Sequence, residues 1–282
     1  MCSEGLRERY VNPYTNFAFK LLFGTDLNKE ILIGFLNALF DGKQVIEDVT
    51  YLNTEHLGTD RRAVFDVYCE NEKGEKILIE MQRGEQQFFK DRSIYYATYP
   101  IREQAIKGEI WDYELKAVYV IGILNFALDD VSSSGFRHEV KLMDTTTHEV
   151  FFDKLTFVYL EMPKFHKTEQ ELDTLFDKWM FVLKNLARLM ERPTALQERV
   201  FNRLFEAAEI AQFSKENLYA YEESLKVYRD WNNVINTAIQ KGIAEGEWMK
   251  AKAIAGNLKN AGLSIAEIAK VTGLSEDEIN SL

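Results

Sequence analysis

Cysteine is scarce in this chain. Cys2 and Cys69 are the only two in 282 residues, and they have neither the spacing of a zinc site nor the makings of a disulfide framework. No run approaches the roughly 20 consecutive apolar residues that a bilayer-spanning helix requires, and the N-terminus carries no apolar signal region. A reducing cytoplasm is the expected compartment. His56, His138, His148 and His166 are scattered without metal-ligand spacing, so they read as structural or surface residues. Positive charge is in deficit, with 34 Lys and Arg against 45 Asp and Glu and a net charge of -11. That balance opposes nonspecific coating of nucleic acid, which gains affinity from released counterions. It leaves room for a nuclease, because a local basic rim can bind phosphates while metal-holding acids add negative charge that a cation neutralises. Internal repeats and low-complexity tracts are also absent.

With 46% hydrophobic residues, the chain can bury one sizeable core and carry a smaller appendage. Its chemistry concentrates in one hairpin. The runs Ala63 to Cys69 and Lys76 to Gln82 are rich in β-branched and aromatic residues. A three-residue loop, Glu72-Lys73-Gly74, with Gly74 left-handed, sets Asn71 opposite Glu75. Counting back places Asp66 opposite Glu80. Side chains alternate across a strand, so Val64, Asp66 and Tyr68 share a face with Leu78, Glu80 and Gln82. Two facing carboxylates repel unless a cation lies between them, which points to a metal. Hard cations take carboxylate and carbonyl oxygens, so Asp66, Glu80 and the Met81 carbonyl form a candidate site for such an ion. A loop one residue shorter or longer would separate the two acids onto opposite faces.

The surrounding pattern predicts a mixed α/β layer. Asn12-Pro13-Tyr14-Thr15 starts a helix that runs to Gly24, and Ile31, Leu32, Phe35, Leu36, Leu39 and Phe40 mark a second, stopped by Asp41-Gly42. Val45 to Asn53 reads as a first strand ahead of the hairpin, Phe88 to Lys107 as a helix, and Leu115 to Leu124 as a buried strand. Residues 129 to 150 are polar and read as loop, and Val150 to Met162 resumes strand character. Phe151, Phe152, Phe157 and Tyr159 are expected in the core. Beyond Pro163 the period becomes helical: Leu172, Leu175, Phe176, Trp179, Leu183, Leu186 and Met190 form one stripe, and Val200, Leu204, Ala207, Ala208 and Ala211 another.

The last stretch has two capping boxes, Ser264-Ile265-Ala266-Glu267 and Ser275-Glu276-Asp277-Glu278. With a helix over Ala251 to Asn260 they outline a helix-turn-helix. The would-be recognition helix begins with three acids, which argues against direct DNA reading. The expected domains are a core over 10 to 165, a helical region over 166 to 246 and a small tail over 247 to 282.

The segment Asn12 to Gly24, the Phe65-Asp66-Val67-Tyr68 strand, Ile79-Glu80-Met81-Gln82 and Asp91-Arg92-Ser93-Ile94-Tyr95-Tyr96 together resemble the PD-(D/E)xK nuclease family transposases, relatives of the recombination-promoting nucleases. The resemblance covers about residues 10 to 165. It implies a restriction-endonuclease-like mixed sheet flanked by helices, with Asp66 and Glu80 as Mg²⁺ ligands and Gln82 in the place usually held by lysine. Many relatives carry an acid where Asn16 stands here, and Glu30 is a candidate substitute ligand. The implied activity is metal-dependent hydrolysis of DNA phosphodiesters, linked to mobile-element or recombination biology. Gln82 can position a water by hydrogen bonding, and Arg61, Arg62, Lys90 and Arg92 flank the site as candidate phosphate contacts. The same four cations equally suit solvated charges or salt bridges. Because Gln82 cannot supply lysine's positive charge, the alternative function is a noncatalytic nucleic-acid or protein-binding module that kept the fold. DNA is the expected partner, no membrane is involved, and self-association into a homo-oligomer stays open.

Overall fold

The computed structural model describes residues 8–52, 65–84, 87–105, 112–128 and 135–282. Two compact units divide the chain, residues 1–225 and 226–282. In the first, six strands form one mixed sheet in the order β1-β2-β3-β4-β6-β5. These are β1 (Val49–Tyr51), β2 (Val67–Asn71), β3 (Lys76–Gln82), β4 (Val118–Leu124), β5 (Arg137–Met143) and β6 (Val150–Glu161). The β3–β4 and β4–β6 pairs are parallel, and the remaining pairs are antiparallel. The C-terminal ends of β3, β4 and β6 therefore finish together at one edge of the layer, where α/β sheets place their ligands.

Helices cover both faces. Helix α3 (Phe89–Glu103) connects β3 to its parallel neighbour β4, and its Phe89, Ala97 and Tyr99 pack with Tyr68, Leu78, Val120, Leu124 and Tyr159. On the opposite face, Phe40 at the end of α2 (Lys29–Phe40) meets Tyr119 edge to face at 4.9 Å. That follows from strand alternation, because Tyr119 points away from Val118 and Val120. Helix α1 (Asn16–Phe23) begins where Thr15 caps the Ala18 amide. With α2, α4 (Leu175–Asn185) and α5 (Arg199–Ala208), it encloses an aromatic cluster of Phe23, Phe35, Trp179 and Phe201. Trp179 is fully buried there, as its place on the helical stripe predicts.

Four expectations need correction. Residues 129 to 150 are not all loop, since β5 occupies Arg137–Met143. This is an edge strand with β6 as its one neighbour, and its charged, largely exposed side chains disguise it. Phe151 is 80% exposed rather than in the core, because pairing of β6 with β4 begins only at Leu155. The first strand is Val49–Tyr51, shorter than Val45 to Asn53. The stripe drawn from Leu172 to Met190 is not one helix: α4 covers Leu175–Asn185, a 3-10 turn follows, and Met190 is exposed.

Helix α6 (Lys215–Asn260) is 46 residues long and runs across the boundary expected between the helical region and the tail at 246/247. In the second unit, α7 (Ile265–Thr272) and α8 (Glu276–Asn280) each begin with the expected capping box. Ile268, Leu274 and Ile279 close with Ala255 into a small core of their own. No helix among the described residues is long and apolar enough to cross a membrane.

Candidate active site

The hairpin has the register that its loop chemistry predicts. Val67 pairs with Ile79 and Glu70 with Lys76, and the same register continued by one step sets Asp66 opposite Glu80. The Asn71 amide donates to the Glu75 carbonyl and the Gly74 amide to the Asn71 carbonyl. Gly74 sits at φ +77, a conformation that glycine adopts without steric cost. Asp66 lies just ahead of β2 and Glu80 within β3, on the sheet face covered by α3. Val64, expected on that face, lies outside the described residues.

Glu80 is buried and Asp66 is half-buried. The Met81 amide donates to Asp66 Oδ2 at 2.8 Å, and Gln82 Nε2 donates to Glu80 Oε2 at 2.9 Å. Glu80 Oε1 is buried and accepts no hydrogen bond among the described residues. Burial, reinforced by the neighbouring Asp66 charge, pushes the Glu80 carboxyl well above the ordinary range, against opposing help from Arg92, the Asp66 amide and Gln82. Burial also raises Asp66, offset in part by the Met81 amide and by the charges of Lys20, Arg83 and Arg92. Two acids that resist ionisation side by side form a place where a cation lowers the energy.

Beyond Glu80 the same row of the sheet continues through Gly122 to Tyr159. A Cβ on Gly122 would approach Tyr159 Cδ1 to 3.0 Å and Phe89 Cζ to 3.5 Å. The missing side chain leaves a space of ≈ 10 Å³ bordered by Glu80, Gln82, Arg92, Ser93 and Tyr159, about enough for one water. Ser93 and Tyr159 share a hydroxyl hydrogen bond at 2.7 Å on its far side. Arg92 stacks over the Tyr96 ring at 5.5 Å, which orients its guanidinium beside the acids.

The profile of the PD-(D/E)XK nuclease family transposases matches residues 13–238. The chain belongs to this family. No curated protein and no solved structure matches it. The six-stranded mixed sheet flanked by helices agrees with a restriction-endonuclease-like fold. Membership makes the chain one of a group of nucleases linked to transposition, with DNA as the implied substrate and divalent metals as the usual cofactors. The match also reaches past residue 165 through α4 and α5 into α6.

Among the residues singled out for this PD-(D/E)XK chain, Asp66, Glu80, Met81, Gln82 and Arg92 come together. Lys90 lies on the exposed first turn of α3, and Arg61 and Arg62 lie outside the described residues. Glu30 faces Arg199 of α5 at 3.5 Å with most of its side chain in solvent, so it is engaged away from the acid pair. Asn16, where many relatives carry an acid, accepts a hydrogen bond from Arg83 Nη2 at 2.5 Å. The start of α1 thus meets the end of β3. Arg83 and Lys20 are additions that the sequence pattern missed, while Ser93 and Tyr96, quoted only within the family motif, and Tyr159, expected as core, border the site as well. One signal was available: Lys20 follows Asn16 by four residues, on the same face of α1.

Proposed function

We propose that the chain is a Mg²⁺-dependent DNA endonuclease that hydrolyses phosphodiester bonds. The observation that carries this reading is the buried acid pair, in which Glu80 Oε1 has no hydrogen-bond donor among the described residues and both carboxyls are pushed upward by burial. An unpartnered buried carboxylate oxygen beside a second carboxylate suits a hard divalent cation. Asp66, Glu80 and the Met81 carbonyl would hold Mg²⁺ or Mn²⁺. A bound divalent ion polarises the phosphoryl oxygen and acidifies a coordinated water.

The chain's own groups do the rest. The Met81 amide and Gln82 fix the two carboxylates in orientation, as groups behind metal ligands commonly do. Gln82 lies next to the water-sized space at Gly122 and positions the attacking water. Arg92, held over Tyr96, steadies the substrate phosphate, with Arg61, Arg62 and Lys90 as further backbone contacts. The acidic chain then binds DNA through this local basic rim rather than through its net charge. All proposed ligands fall in the core of residues 10 to 165, so the helical region 166 to 246 and the tail 247 to 282 serve target choice or assembly. The buried free Cys69 fits a reducing cytoplasm.

A second reading, a noncatalytic binding module, is favoured by one observation: Gln82 stands where lysine usually supplies positive charge. Nicking of supercoiled plasmid in Mg²⁺ or Mn²⁺, compared between wild type and Asp66→Ala, decides between them. Metal-dependent nicking lost in the variant supports the enzyme. DNA binding with no nicking by the wild type in either metal overturns it in favour of the module.

A further inference from the structure

From Asn233 to Lys250, every residue of α6 is exposed, yet its sequence is not that of a solvated helix. Tyr228, Trp231, Ile235, Ala238, Gly242 and Met249 recur at spacings of three, four and seven and fall on one face. Ile235 and Met249 are 36% and 67% exposed. Helices α7 and α8 cover the other side of α6, where Ala251, Ala255 and Leu258 join their small core. Two glycines on the apolar face, Gly242 and Gly246, have nothing within 4 Å of an added Cβ. Glycine is the least favourable helix residue after proline, and nothing within the chain crowds these positions.

We propose that this face is the interface of a homodimer in which two copies of α6 pack antiparallel about a two-fold axis. The occupant follows from the order of sizes. Over residues 228 to 246, before Met249 ends the stripe, large side chains, Tyr228, Trp231 and Ile235, come first and small ones, Ala238, Gly242 and Gly246, follow. A face that grades from large to small is complementary to itself only when reversed. In the antiparallel register that alternates the two rows of the seam, Trp231 of one copy enters the space over Gly242 of the other, and Ile235 meets Ala238. Tyr228 then faces Glu245, the one acid on the stripe. Each layer occurs twice by symmetry, as an isologous contact requires. A parallel pair would instead set Trp231 against Trp231, leave a void between two Gly242 residues and oppose two Glu245 carboxylates. The proposal is independent of the nuclease reading, since no residue of the stripe belongs to the acid pair.

Light scattering on the full-length protein at about 50 µM, well above a Kd of about 1 µM, tests it, with circular dichroism as the fold control. The expected result is a dimer whose Kd rises at least about 100-fold in Ile235→Asp. Gly242→Leu should raise the Kd at least about tenfold although leucine is the better helix former. In a Cys2→Ser background oxidised with diamide, Trp231→Cys combined with Gly242→Cys should form an interchain disulfide, and Gly242→Cys alone should not. A monomeric wild type, a dimer indifferent to Ile235→Asp, or ready crosslinking of Gly242→Cys alone would each overturn the antiparallel dimer.

Discussion

Two buried glutamates on one sheet have opposite surroundings. Glu161, at the end of β6, is fully buried and has three partners: the Leu128 amide at 3.0 Å, Lys164 Nζ at 2.8 Å and the His138 ring. The amide and the lysine satisfy Oε2. His138 Nε2 makes a close contact with Oε1 that is not a hydrogen bond. Glu80, two strands away, has Gln82 on one oxygen, no hydrogen-bond donor on the other among the described residues and a second acid as neighbour. Burial is common to both, so burial alone does not mark a site. What separates them is direct pairing: an amide and a lysine bond to Glu161, whereas among the described residues Glu80 Oε1 has no hydrogen-bond donor and a second carboxyl is its neighbour, an arrangement that a cationic ligand can complete.

The largest test of this contrast is catalytic. Asp66→Ala should lower metal-dependent plasmid nicking by about a thousandfold or more, equivalent to about 4 kcal/mol, while Glu161→Gln in folded protein should leave the rate within about threefold. Equal losses in the two variants would erase the distinction. Next comes stability. Lys164→Ala strips Glu161 of its best cation, and breaking such a buried pair costs about 3–5 kcal/mol when nothing replaces it. With His138 still present and Lys164 partly exposed, about 2 kcal/mol is expected by denaturant titration. An unchanged midpoint would mean that Glu161 is not held by this lysine.

Glu80→Gln should act in the opposite direction. Raising a carboxyl above its unfolded value makes its ionisation a cost of folding, so the wild type is relatively most stable at acidic pH and loses that advantage as pH rises through the elevated pKa. Without metal, the glutamine variant should therefore melt about 3–5 °C higher at pH ~8 and show no gain near pH ~4. A gain independent of pH would assign the effect to packing instead. The smallest effect is expected at Gly122→Ala. Its Cβ would press on Tyr159 and Leu124 at 3.0 and 3.3 Å, costing about 1–2 kcal/mol and filling the space beside Glu80. Full stability and full nicking together would show that this gap has no role.

The hairpin was legible because its determinants are local. A loop ending in Gly74 sets the count from Asn71 to Glu75, and the period of two carries that count to Asp66 and Glu80 without reference to the rest of the chain. The capping boxes at Ser264 and Ser275 were legible for the same reason, since each is a contact within four residues. Strand β5 was not, because an edge strand buries little and its polar composition matches a loop. Nor was the length of α6: the boundary expected between helical region and tail at 246/247 falls inside this one helix, whose residues 233 to 250 are all exposed.

What the amino-acid sequence determined by itself was a pair of acids on one strand face, the helix starts around it and a family membership carried by their order. Only the tertiary structure decided which charges meet that pair. Lys20, Arg83 and Arg92 reach it from a helix, a strand end and a crossover helix, and His138 and Lys164 were brought to Glu161 rather than to Glu80. Sequence spacing governs neighbours within a turn or a hairpin, whereas charge compensation depends on distances across the folded sheet, where a few ångströms of low dielectric decide whether a buried carboxylate is satisfied or left for a ligand.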